Sequence, residues 1–210
     1  MAVDPGTPLR ADARRNRDQI IAAARAIFVE QGPSAPMEEI ARAAGVGVGT
    51  LYRRFPDRGT LIREVAADSF ARALTEARAS IEEEPTHWDA LVRFIGFSRE
   101  LRLTLHLAMI SEQAGDIIRD DPSTEESRRV LMTDLDSMVK GAQAEGKVRP
   151  DIGTGDVAML FILLMRQLPD KLEQIDGAAD RCMALMLDSL RPQPDSHLPS
   201  RPITYGDLLD

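Results

Sequence analysis

The chain carries its apolar residues at helical spacing almost from end to end, and no stretch of useful length alternates in the manner of a strand. Ile20, Ala24, Ile27 and Phe28 recur three and four apart until Gly32 and Pro33 interrupt them. Met37, Ile40, Ala41 and Ala44 repeat the pattern and stop at Gly45. Val48, Leu51, Tyr52 and Phe55 do so again up to Pro56. A longer segment from Asp57 holds Leu61, Val65, Phe70, Ala73, Ala77 and Ile81 before Pro85. This spacing gathers apolar side chains on one helical face, and glycine or proline ends each face where backbone freedom or a missing N–H requires it. The chain is therefore expected to be all-α.

The second half follows the same rule with longer elements. Residues 87–113 read as helix, in one or two pieces breaking near Gly96 or Arg99. Ser123 with Glu126 forms a capping box for a helix running to about Gly146. Thr154 and Asp156 suit the start of a helix through Leu168, and a last helix covers roughly 172–190. The final stretch, RPQPDSHLPSRPITYGDLLD, has four prolines and is expected to be a mobile tail. The alternative is that Ile203, Tyr205, Leu208 and Leu209 dock on the body. No internal repeat is found.

At 210 residues, with 43% apolar and 29% charged side chains, the chain suits one sizeable globular domain or a small domain joined to a larger one. The single Cys182 excludes an internal disulfide and a cysteine zinc cluster, and is expected to be a buried structural thiol in a reducing compartment. The start MAVDPGTPLRADARR has no apolar signal core. The longest apolar run, VAMLFILLM, is far short of the ~20 residues that span a bilayer. A cytoplasmic protein with no membrane partner is expected. Net charge is −8, which alone argues against nucleic acid, but its distribution is uneven. Residues 1–66 hold ten arginines against eight acids, while the remainder holds 16 basic and 26 acidic side chains. Such asymmetry suggests an anion-binding front and an acidic body.

The stretch GVGVGTLYRRFPDR, Gly45 to Arg58, has two possible uses. A dinucleotide loop needs glycines at positions one, three and six between a strand and a helix. Position six here is Thr50, and an amphipathic helix precedes in place of a strand. A phosphate-binding P-loop needs a lysine that is absent from this region. The other use is a helix-turn-helix: MEEIARAA, a glycine able to take the left-handed conformation, and a second short helix. Small Ala41 permits close helix approach, and Val46, Leu51 and Phe55 face inward. Gly47, Val48, Gly49, Thr50, Arg53 and Arg54 are left at the tip or outside, where a helix entering a major groove presents its first residues to base edges. Thr50, Tyr52 and Arg58 have donors suited to phosphates.

With NRDQIIAAARAIFVEQG before it, this region resembles the N-terminal domain of TetR-family transcriptional regulators. The matching elements are Phe28–Gly32, Ile40–Val46, Thr50–Phe55 and Arg58. The resemblance implies that Gly47, Val48, Gly49 and Arg53 lie at the bases. It implies further that Thr50, Tyr52, Arg54 and Arg58 bind the DNA backbone, with Arg14, Arg15 and Arg17 near the front of the first helix. Two departures stand out. Ala35–Pro36 replaces the family's hydroxyl cap before the second helix, and the glycine-rich tip offers few groups for reading bases directly. Arg53 and DNA shape then carry more of the specificity.

The resemblance also implies a homodimer whose C-terminal domain binds a small-molecule effector. The expected division is a DNA-binding domain over 10–56, a linking helix over 57–83, a ligand-binding and dimerisation body over 57–190, and a tail over 191–210. VAMLFILLM is apolar nearly all round its helix, so one side should meet the protomer's core and the other a partner. The expected interface is Val157, Phe161, Leu164, Met183, Met186 and Leu190. Pocket candidates are Trp88, Phe94, Phe97, Leu101, His106, Met109, Phe161 and Met165, which favour a largely apolar ligand.

No nucleophile elbow, zinc-protease pair or cysteine with a plausible base is present, and neither metal nor cofactor is expected. The reading is a repressor released from an inverted-repeat operator by its ligand. The alternatives are a regulator without ligand control, an activator, an enzyme with a glycine-rich nucleotide loop, and a purely structural helical protein.

Overall fold

A computed structural model describes residues 6–97, 111–166 and 177–208. All regular elements among these residues are helical. They are α1 (Gly6–Gln31), α2 (Met37–Ala43), α3 (Val48–Arg54), α4 (Arg58–Glu83), α5 (His87–Phe97), α6 (Glu112–Arg119), α7 (Pro122–Ala144), α8 (Thr154–Arg166), α9 (Ala178–Ser189) and the short 3₁₀ turn η1 (Gly206–Leu208).

The chain forms two compact units, and the division falls inside α4 after Asp68, later than the expected boundary at Pro56. The first unit holds α1, α2, α3, the start of α4 and, unexpectedly, α6. Ile20, Phe28, Ile40, Leu51, Phe55, Leu61 and Val65 are among its fully buried large side chains. Their periodic spacing is the sequence signal that predicts these helices. α6 was not foreseen as a separate element. It opens where the Ser111 side chain accepts the Ala114 N–H at 3.2 Å, and it buries Ala114 and Ile118.

The second unit comprises the rest of α4, α5, α7, α8, α9 and the tail. Phe94, Leu91, Met138, Val157 and Leu190 lie in one continuous apolar core. Glu145 caps α5 from a distance, its carboxylate accepting the His87 and Trp88 N–H groups at 2.8 and 3.2 Å. These backbone hydrogen bonds hold the Glu145 carboxyl below its ordinary pKa. Near the α4–α5 connection, Arg93 donates to Glu76, Glu83 and Glu84 at 2.7–3.1 Å, so the acidic run there is partly a guanidinium cradle.

Two expectations need correction. The cap of α7 is Asp121 rather than Ser123: Asp121 Oδ2 accepts the Thr124 N–H at 3.0 Å, and Pro122 takes the first helical position, where its missing N–H has no cost. The described part of the tail is held on the body. Arg149 donates to the Ser196 carbonyl at 2.9 Å, and the Leu198 and Ile203 N–H groups reach Asp151 and Asp156 at 3.2 and 3.0 Å. Prolines keep this segment from becoming helix, but they leave enough N–H groups to bind carboxylates.

Candidate nucleic-acid interface

α2 and α3 are too short to be stable alone and are fixed by packing and by the turn between them. Gly45 adopts φ +67°, and the Val46 N–H reaches back to the Ala41 carbonyl at 3.0 Å. A left-handed glycine with this bond ends α2 and reverses the chain. Ala41 and Leu51 are both fully buried, so the small side chain and the leucine lie in the interior of the motif. α3 then starts at Gly47, with Thr50 N–H on the Gly47 carbonyl at 2.8 Å, and stops at Phe55. Asp57 opens α4 by accepting the Thr60 N–H at 2.7 Å, a bond that lowers the Asp57 pKa.

This geometry leaves Gly47, Val48, Gly49, Tyr52, Arg53 and Arg54 exposed and Thr50 half-buried. Gly47, Val48 and Gly49 lie at the N-terminal end of α3, and Tyr52, Arg53 and Arg54 lie toward its C-terminal end. Tyr52 donates its hydroxyl hydrogen to Glu38 of α2 at 3.2 Å, which orients the ring. Burial and the nearby Glu38 charge raise the Tyr52 pKa.

The remaining arginines divide. Arg14 and Arg15 are exposed on α1, and Arg15 lies 4.0 Å from Asp12. Arg17 is half-buried and bonded to Glu64 of α4, its two nitrogens 2.5 and 3.2 Å from one carboxylate oxygen. Arg58 is half-buried as well, donating to the carbonyls of Pro33 (at 2.9 Å) and Ala35. These two side chains brace the first unit through bonds within the protein. Their pinning positions the α1–α2 connection and the α1–α4 contact behind the exposed surface. A carbonyl pair without a local donor, as in GPSAPM, is the signal that sequence reading passed over.

The second unit contains a largely apolar cavity of about 320 Å³, lined by Phe70, Phe94, Leu131, Phe161, Tyr205 and Arg128 among others. Of the expected pocket residues, Phe94 and Phe161 line it. Trp88 does not: its ring is buried and covered by the Arg191 guanidinium at 4.7 Å. Leu101, His106 and Met109, and the side chains of Phe97 and Met165, fall outside the described residues.

The expected dimer face also needs correction. Val157, Met183, Met186 and Leu190 are at most 9% exposed within one protomer, and Phe161 and Leu164 pack against the same core. The outward apolar side chains of α8 and α9 are instead Leu160, Leu163 and Leu185, exposed by 42%, 49% and 61%.

Two short helices joined by a left-handed glycine, the second with exposed glycines at its start and exposed arginines in its last turn, define a helix-turn-helix DNA-binding protein. The pattern of bacterial regulatory proteins of the tetR family matches residues 20–65, and that of the C-terminal domain of SbtR-like transcriptional regulators matches residues 85–192. The chain belongs to the TetR family and is a DNA-binding transcriptional regulator. It is 32% identical to the TetR transcriptional regulator SCO0520 of Streptomyces coelicolor, whose structure superposes with a TM-score of 0.61 over 84% of this chain and 99% of that one. A TetR regulatory protein of Mycobacterium vanbaalenii is 27% identical, with a TM-score of 0.62 over 88% of this chain and all of the other. The regulator UidR of Escherichia coli is 26% identical over 84% of this chain and 91% of its own length. Members of the family bind DNA and dimerise, and they are regulators rather than enzymes. No described helix is long and apolar enough to cross a membrane.

Proposed function

We propose that this regulator is a repressor that binds an inverted-repeat operator as a homodimer and releases it when a small, largely apolar molecule enters the body. The observation that carries the reading is the apolar cavity, which belongs to a different compact unit from the helix-turn-helix. Its volume lies at the lower end of the ~300–1,000 Å³ common for small-molecule sites. A ligand there lowers DNA affinity only by favouring one arrangement of the two heads over another. α4 contributes residues to both units and is the element through which we expect this bias to pass.

In this reading Gly47, Val48, Gly49 and Arg53 face the bases, and Thr50, Tyr52, Arg54, Arg14 and Arg15 face phosphates. Arg58 and Arg17 support that surface from behind. Leu160, Leu163 and Leu185 form the centre of the dimer interface, since three exposed leucines on two adjacent helices are unusual on a free surface. Two heads related by a two-fold axis then read two half-sites.

The test is selection of bound sequences from a random DNA pool, followed by titration of the selected operator at rising salt. Affinity should fall steeply with salt, because the contacts are largely arginine to phosphate. A selected site without two-fold symmetry, or binding indifferent to salt, would sink the reading. Leu160→Glu with Leu185→Glu should give folded monomers that lose the full operator. A variant pair that sediments as a dimer removes this interface.

A further inference from the structure

The segment 193–208 lies beyond residue 192, where the match to the C-terminal domain of the family ends. It nevertheless forms part of the cavity wall. Gly153 and Gly155, flanking Thr154 at the start of α8, let the tail backbone lie against them. A Cβ on Gly153 would stand 2.3 Å from the Ile203 carbonyl oxygen, and one on Gly155 would stand 2.6 Å from that of Thr204. Asp156 accepts the Ile203 N–H, and Asp207 receives Arg201 through two oxygens at 2.7 and 2.6 Å. Asp207 also accepts the Thr204 N–H at 2.8 Å. The chain so held turns through η1 and brings Tyr205 and Leu208 to the cavity.

The wall is otherwise aromatic and aliphatic, apart from Arg128. The Tyr205 hydroxyl oxygen is buried and has no hydrogen-bond partner among the described residues. Buried hydroxyls are nearly always bonded, so such a group in a cavity wall is suited to a bond with an occupant. Arg128 is half-buried, and among the described residues no carboxylate pairs with it. A phenol donor and an uncompensated guanidinium in an apolar chamber select an apolar molecule with an anionic acceptor.

We propose that the C-terminal tail is a working part of the effector site: Tyr205 and Arg128 bind the carboxylate of an apolar acid whose hydrocarbon lies against Phe94, Leu131 and Phe161. This rests on the cavity being the effector site. The tail thereby adds a hydroxyl donor to a wall whose other polar recognition element is Arg128. Gly153, Gly155 and Asp156 are positioning residues, since they act only by holding the tail in place.

The test uses the full-length protein with decanoate, decanol and decylamine, followed by calorimetric titration and thermal shift. Decanoate should bind wild type best and raise its Tm, with decanol weaker and decylamine absent. Tyr205→Phe should reduce decanoate affinity about tenfold or more, as expected for a lost hydrogen bond to a charged group. The same change should leave the ligand-free Tm unchanged or higher, because no internal bond is removed. A tyrosine with a merely structural role would not separate these readouts. Arg128→Gln should abolish the preference for decanoate over decanol. Gly155→Leu, which displaces the tail by a different route, should match Tyr205→Phe in lost affinity. Absence of decanoate binding, or wild-type affinity in both Tyr205→Phe and Arg128→Gln, overturns the proposal. Operator titration separates it from the broader reading. If decanoate binds through Tyr205 without releasing operator, the site stands and ligand-controlled release fails. If another molecule releases the operator and decanoate does not bind, only the acid site fails.

Discussion

Two Gly-x-Gly triplets open helices in this chain, and they have opposite reasons for their glycines. Gly153-Thr154-Gly155 opens α8 beneath the tail, where added Cβ atoms would collide with backbone oxygens. Gly47-Val48-Gly49 opens α3, where a Cβ on Gly49 would meet nothing within 4 Å and one on Gly47 only Thr50 Oγ1 at 3.9 Å. Gly47 sits at φ −67°, a value any residue adopts. The fold therefore requires glycine at the first triplet and gains nothing from it at the second. A helix interior glycine costs about 0.5–1 kcal/mol relative to alanine. A glycine that no intramolecular contact demands is explained by something that approaches from outside. At the exposed start of α3 we propose that this something is DNA.

The largest effect should come from breaking the inward-facing triplet. Gly155→Leu forces the Ile203–Thr204 backbone away from α8, and overpacking of this kind typically costs about 1–3 kcal/mol. The body should melt earlier, and the tail should become a ready site for limited proteolysis. An unchanged Tm with an uncut tail would mean the segment does not rest on α8.

Arginines sharpen the contrast between outward and inward function. Arg53→Ala should relax base preference at one position per half-site at a cost of about 1–3 kcal/mol in binding. Its thermal stability should stay at the wild-type value, because the side chain is exposed. Arg58→Ala leaves the Pro33 and Ala35 carbonyls without their donor and should destabilise the first unit by about 1–3 kcal/mol. Calorimetry on both variants tests this pairing. Should Arg58→Ala melt normally while losing salt-sensitive DNA affinity, its guanidinium belongs to phosphate after all.

Acid provides a weaker probe of the same division. Hydrogen bonds and cation pairing from Arg149 hold Asp151 well below the usual carboxylate range, and Arg201 does so for Asp207. A carboxylate whose folded pKa is depressed contributes stability above its unfolded pKa and loses it as pH falls toward the folded value. Tail attachment should therefore be level above pH ~5 and weaken as pH drops through and below the ordinary range near 3.9. Protease sensitivity of the tail against pH measures this. A tail that loosens first between pH 6 and 8 would point to a different anchor.

These regions also show how much the sequence made legible. Periodicity located α2, α3 and α4, and Gly45 identified the turn, because each depends on neighbours a few residues away. The outward side of α8 was illegible, since VAMLFILLM is apolar on every face and spacing cannot choose between Phe161 and Leu160. Arg58 looked like the other arginines until the fold brought two carbonyls, more than 20 residues distant, within its reach. Docking of the tail was legible only as an alternative resting on its apolar residues, since its polar anchors Arg149, Asp151 and Asp156 lie about 47 residues away.

The smallest expected effect is the sharpest one. Gly49→Ala adds a single methyl group to α3 in open space, so the folded protein should gain about 0.5–1 kcal/mol from reduced backbone freedom in the unfolded chain. Affinity for the selected operator should move the other way, because a methyl group now stands where the DNA surface must approach. Stability and function would then change with opposite sign at one position, which a residue selected for folding does not show. The measurement pairs thermal unfolding with operator titration on the same preparation. If Gly49→Ala stabilises the protein and binds the operator as wild type does, the tip is not pressed against DNA, and the outward-facing triplet has no explanation in the interface. If it destabilises the protein, the triplet serves the fold after all, and the contrast between the two helix starts disappears.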